Sequence, residues 1–198
     1  GEQLDAFVMA FGAVPSYITS PATHPLAVLT LLSSMFLHGG WMRLIGNMLY
    51  LGIFGDNVED ALGSLGYLVF YVAAGLVAGL AQVAMLPDGL VPAIGASGAI
   101  AGVLAVYLVL YPTAPVRVLI PGYFFMRVAR VPAALVLGLW FVLQLFNGFL
   151  SLGTVTMATG GVAWFAHIGG FMGGLVVGIL ARGRRRHRPH LDQYTRRW

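Results

Sequence analysis

Val162–Ala181 (VAWFAHIGGFMGGLVVGILA) is a stretch of 20 residues without a single Asp, Glu, Lys or Arg. As a helix rising about 1.5 Å per residue, it matches the roughly 30 Å hydrocarbon core of a bilayer. In lipid the backbone has no partner but itself, so such a run folds as a spanning helix. One ionisable side chain, His167, lies inside it. A titratable group at that depth is costly, marks function by default and calls for a partner elsewhere in the chain.

The rest of the chain has the same character. Hydrophobic residues make up 59% and charged residues 9%, far from the balance of a soluble domain. Asp88 is the only charge between Ala61 and Val116, and from Val131 to Ala181 only His167 can titrate near neutrality. Charge-free runs and their Gly/Pro boundaries predict five spans: Trp41–Phe54, Leu65–Leu86, Ser97–Tyr111, Pro132–Leu150 and Val162–Ala181. The first and third are short, which is acceptable where a helix end faces a wet cavity. Leu26–Leu37, 12 apolar residues, reads as a re-entrant or interfacial helix. With no cysteine there is no disulfide, thiolate nucleophile or cysteine-ligated metal.

Arginines set the expected orientation. Seven lie between Arg182 and Arg197, and Arg117, Arg127 and Arg130 lie between the third and fourth spans. Alternating topology puts both groups on one side, which the positive-inside rule makes the cytoplasm. Residues 182–198 are then a basic tail that contacts anionic headgroups, and nucleic acid is not expected as a partner. Counting back places Gly1–Gly40 outside, with no signal peptide or earlier span to carry it there, so a first transmembrane helix is expected to be missing.

The partner expected for His167 is Ser97, in Gly95-Ala96-Ser97-Gly98 at the start of the third span. Alone, Ser97 reads equally as a helix N-cap or a small packing residue. Ala166, Gly170, Gly174 and Gly178 form a ladder at i+4 spacing, and Gly98 and Gly102 repeat that spacing on the Ser97 helix. Small faces let helices approach closely in lipid, close enough for a serine–imidazole hydrogen bond. A neutral imidazole there could take the serine proton and later protonate a leaving amine. No acid lies near to complete a triad, so a dyad is expected. Asn47, mid-helix in the first span, is either an oxyanion donor or an interhelical hydrogen-bonding residue.

Four segments then become specific: Phe36-Leu-His-Gly-Gly-Trp-Met-Arg-Leu-Ile-Gly-Asn47-Met, Phe54-Gly-Asp-Asn-Val-Glu59-Asp-Ala-Leu-Gly63, Gly95-Ala-Ser97-Gly98 and Ala166-His167-Ile-Gly-Gly170. In this order they resemble the rhomboid intramembrane serine proteases over about Ala22–Arg182. The resemblance implies an all-α polytopic bundle, here with five of six core helices plus a re-entrant loop helix, in one membrane domain with its core at residues 22–181. It implies Ser97 as nucleophile, His167 as general base, Asn47 and the Ser97 backbone N–H as oxyanion donors, and no cofactor or metal. His38 and Glu59 match structural positions, while Gly98, Gly102, Gly170 and Gly174 are read as structural packing residues from their spacing. Arg43 departs from the pattern, since the family usually has histidine there. It could join the oxyanion donors, and its long side chain is expected to snorkel toward the outer headgroups.

The resulting expectation is a serine endopeptidase of a bacterial inner membrane, cleaving transmembrane substrates near the outer boundary of the bilayer. The competing expectation is a rhomboid-like protein, weak or inactive, that binds transmembrane clients. A channel or transporter would need several ionisable groups across the bilayer, and His167 is nearly alone.

Overall fold

The computed structural model describes residues 2–121, 126–152 and 162–185. The chain is mainly helical. Short α1 (Glu2–Phe11) and α2 (Pro15–Ile18) come first, followed by α4 (Trp41–Leu62), α5 (Ser64–Met85), α6 (Ser97–Leu110), α7 (Ala133–Ser151) and α8 (Trp164–Arg185). Between α2 and α4, the four-residue α3 (Thr30–Ser33) is flanked by two 3₁₀ turns, Ala27–Leu29 and Ser34–Phe36. Among the described residues α5, α7 and α8 are each long and apolar enough to span a bilayer. The segment Ala27–Phe36 and α4 reach that standard together, bent by 78° at Leu37–Gly40.

The organising element is α6. Ten consecutive residues, Gly98 to Tyr107, are buried. A helix buried on every face sits at the centre of a bundle, and α6 is packed by α8, α5, α4 and α7. With 14 residues it is only about 21 Å long, well short of a bilayer core. A helix this short cannot reach both surfaces of the bilayer.

Glycine makes the central contact possible. A Cβ on Gly170 would collide with the carbonyl of Gly98, and one on Gly174 with the carbonyl of Gly102. A Cβ on Gly102 would come within 2.8 Å of Ala74 on α5. These backbones are thus in near contact, as small residues at i+4 spacing permit in lipid.

Three elements differ from the sequence expectation. The first span does not stop at Phe54; α4 continues through Asp56, Glu59 and Asp60 to Leu62, ending at Gly63 with φ +77°. A charge-free run marks where a helix lies in hydrocarbon, not where it ends. Leu26–Leu37 is not one helix but a chain of short turns, seated on α5 where glycine leaves space. A Cβ on Gly79 would lie 2.7 Å from Leu31 Cδ2. Finally, the arginine-bearing connection after α6 is an antiparallel hairpin of β1 (Pro115–Pro121) and β2 (Met126–Pro132), with Arg117 opposite Arg130. Its stem is pinned by hydrogen bonds from Ala133 N–H to the Ala114 carbonyl and from Ala134 N–H to the Pro112 carbonyl.

Candidate active site

Ser97 is the first residue of α6, but it does not cap the helix. The cap position is Ala96, with no side-chain capping bond, and the first intrahelical bond runs from Ile100 N–H to the Ala96 carbonyl. The backbone N–H groups ahead of Ile100 therefore stand at an open helix start, where the dipole favours negative charge. Gly95 turns the chain into α6 with φ +125°, a conformation that L side chains rarely adopt. Its N–H donates to the Ser34 carbonyl at 2.9 Å, so the re-entrant segment holds this turn. Ala13 and Ala93 exchange backbone hydrogen bonds of 3.0 and 2.8 Å, tying the N-terminal segment to the same loop.

His167 lies in the first turn of α8 and is 9% exposed. Its Nε2 is 2.8 Å from Ser97 Oγ, and its Nδ1 is 2.8 Å from Gln144 Oε1 on α7. The hydrogen bonds select the tautomer. The Gln144 carbonyl oxygen can only accept, so Nδ1 carries the proton and donates to it. That leaves Nε2 as the acceptor for the serine hydroxyl. Gln144 is itself buried, 6% exposed, and its Nε2 donates to the Trp140 carbonyl one turn back at 3.4 Å. Trp140 and Trp164 flank the imidazole, with ring centroids 5.9 and 6.2 Å away. Gln82 of α5 accepts the Ala166 N–H at 3.2 Å, fixing the start of α8 beside His167.

The remaining expected residues divide into two groups. Asn47, Arg43 and His38 line one cavity of about 250 Å³ with Ser97, His167 and Trp140. A Cβ placed on Gly95 would lie 3.6 Å from Ser97 Oγ and 4.0 Å from Asn47 Nδ2, so both atoms flank the space left by the missing side chain. Arg43 is exposed at the cavity wall, with its Nη1 beside Gly39. His38 Nε2 is buried and, among the described residues, makes no hydrogen bond. Glu59 is remote, half-buried near the far end of α4.

Two functional neighbours, Gln144 and Gln82, do not follow from the sequence expectations above. The available signal was the cost of an amide in hydrocarbon, which demands a partner just as a charge does. The third member here is a neutral acceptor, not a carboxylate.

Chemically, a serine hydroxyl donating to an oriented neutral imidazole, at an open helix start and beside a side-chain amide, has the parts for acyl transfer. The fold and this buried pair define an integral membrane protein of the polytopic helical class. The chain belongs to the rhomboid family: the Rhomboid domain model matches residues 25–184. Among curated proteins it is similar to RHOMBOID-like protein 5 of Arabidopsis thaliana, 31% identical over 150 residues, covering 76% of this chain and 43% of that protein. RHOMBOID-like protein 7 of the same plant is 29% identical over 157 residues, 79% of this chain and 44% of that protein. The chloroplastic Rhomboid-like protein 11 is 36% identical over 74 residues, 37% of this chain and 26% of that protein. The chain thus spans less than half the length of these relatives.

Proposed function

We propose that this protein is an intramembrane serine endopeptidase that cleaves transmembrane substrates near one face of the bilayer. The observation that carries the reading is the continuous line from Ser97 Oγ through the two ring nitrogens of His167 to Gln144 Oε1, joined by two hydrogen bonds of 2.8 Å between elements. Nε2 takes the hydroxyl proton as Ser97 Oγ bonds to the scissile carbonyl carbon. The carbonyl oxygen becomes an oxyanion, held by Asn47 Nδ2–H and the Ser97 N–H. Collapse of this intermediate breaks the C–N bond, and the imidazolium gives its proton to the leaving amine. Water, deprotonated by the same imidazole, then attacks the acyl ester and restores Ser97. Gln144 remains neutral throughout; it orients the ring and receives the Nδ1 proton's hydrogen bond.

The cavity also supports the reading, because hydrolysis below the membrane surface requires a wet path to Ser97. By the positive-inside rule the arginine-bearing hairpin and tail face the cytoplasm, which would put the Ser97 end toward the opposite side. A client-binding protein without turnover is the second reading, favoured by Arg43 in the cavity wall.

The test is labelling of detergent-purified protein with a fluorophosphonate, alongside cleavage of a transmembrane reporter. Wild type should label and cleave, and Ser97→Ala should do neither. Wild-type protein that retains its fold yet neither labels nor cleaves would establish the client-binding reading instead.

A further inference from the structure

The β1–β2 hairpin takes no part in the proposed chemistry, and its surface is unusual. Arg117 and Arg130 are directly opposed across the ladder, and both are exposed. Like charges in that position destabilise a strand pair. Among the described residues neither arginine is paired with a carboxylate. Two positions toward the tip, on the same face, the opposed pair is Leu119 and Val128, 54% and 65% exposed. Ile120 on the other face is 48% exposed. A two-stranded ribbon with an opposed arginine pair in its stem and bare Leu119, Val128 and Ile120 beyond it, Ile120 facing Arg127, is a poor solute in water.

Its place in the fold supplies the missing partner. The hairpin leaves the end of α6 far from Ser97 and returns straight into α7, whose first turns expose Leu135 and Leu139, 64% and 60%. That apolar surface is the lipid-facing side of a spanning helix, and the hairpin continues it at the membrane boundary. There a basic stem meets phosphate while an apolar end meets acyl chain. We infer that the hairpin is a lipid-docking element. The Arg117–Arg130 pair clamps the phosphate of an anionic phospholipid, and Leu119, Ile120 and Val128 enter the acyl boundary of the leaflet opposite the Ser97 end. The clamped phosphate removes the repulsion between the arginines, and the lipid covers the exposed pair beyond them. This inference does not depend on the protein being a protease.

The chain contains no cysteine, so a nitroxide placed by Val128→Cys reports from one site. Its collision rates with oxygen and with a water-soluble nickel chelate would be measured in phosphatidylcholine nanodiscs, with and without phosphatidylglycerol. A further sample would hold inorganic phosphate over phosphatidylcholine alone. With phosphatidylglycerol, oxygen collisions should dominate and nickel collisions fall severalfold relative to phosphatidylcholine alone. Added phosphate should not reproduce that change. Arg117→Gln combined with Arg130→Gln should return the label to nickel contact in the anionic discs. The inference is overturned by nickel access that is equal in all lipids, by lipid burial that survives loss of both arginines, or by a change that free phosphate reproduces. Protection from oxygen and nickel alike would assign the surface to a protein partner and overturn it too.

Discussion

Gln144 on α7 and His167 on α8 meet through a 2.8 Å hydrogen bond between two buried side chains, between helices that otherwise pack mainly through apolar groups. A carboxylate here would make the site a charged triad, with an ionised group to desolvate in hydrocarbon. The amide fixes the same tautomer without that cost. It gives up the electrostatic stabilisation that a carboxylate offers the imidazolium during turnover.

Gln144 should therefore act on turnover more than on binding. Gln144→Leu keeps the volume but removes the acceptor, leaving the ring free to adopt the unproductive tautomer. We expect kcat for a transmembrane reporter to fall on the order of 10–10²-fold with KM little changed. That is less than the roughly 10⁴-fold loss when a charged triad's acid is replaced. Gln144→Glu, which restores an acceptor, should recover part of the loss. Equal loss in both variants, or none in Gln144→Leu, would make the residue a packing group.

Ser97 and His167 should behave as one unit. Ser97→Ala, His167→Ala and the double variant should each abolish reporter cleavage to about the same residual level, because neither group works without the other. The measurement is single-turnover cleavage with the fold checked by circular dichroism. Losses that multiplied in the double variant would mean two independent contributions, not a nucleophile and its base.

The glycine seam gives a prediction about stability. Gly174→Ala places a methyl against the Gly102 backbone, within 2.7 Å of its Cα, where only helix separation can relieve it. We expect a cost of about 1–3 kcal/mol, read as a lower unfolding temperature in detergent. Gly52→Ala is the internal control, since a Cβ there meets nothing within 4 Å. It should be neutral or slightly stabilising through helix propensity. Indistinguishable melting of the two variants would contradict the close contact.

What could be read from the sequence follows from the energetics of lipid. Ser97, His167 and the i+4 glycines stand out because a polar group and a bare backbone each need a specific neighbour in hydrocarbon. Gln144 is harder. Asn147 lies three residues further along the same helix, and it is half-buried, donating to the Leu143 carbonyl at 2.8 Å. Periodicity does not say which of two amides faces inward when every other residue around them is apolar. The hairpin did carry a signal, since PVRVLIP and MRVARVP are β-branched and bounded by proline. Its arginines point first to topology, and they mask the alternation beneath them. α1 is different again, because its attachment comes from Ser33 Oγ donating to the Phe11 carbonyl at 2.7 Å, a contact between segments 22 residues apart.

Arg43 separates two accounts of the cavity. It lies one helical turn before Asn47 and on the same side of α4, so its guanidinium could in principle stabilise an oxyanion. Its Nη1 instead sits beside Gly39, at the start of α4 and back along the chain from Asn47. With the guanidinium beside Gly39, the position that could carry a neutral donor is taken. One such donor is typically worth on the order of 10²–10³ in turnover. Arg43→His should accordingly raise kcat, and Arg43→Ala should leave it nearly unchanged, both measured on the same reporter at matched stability. A fall in kcat for both variants would show that the guanidinium swings in during the reaction and works as a donor. The position would then be a charged component of the oxyanion site, and Asn47 would no longer be its only side-chain donor.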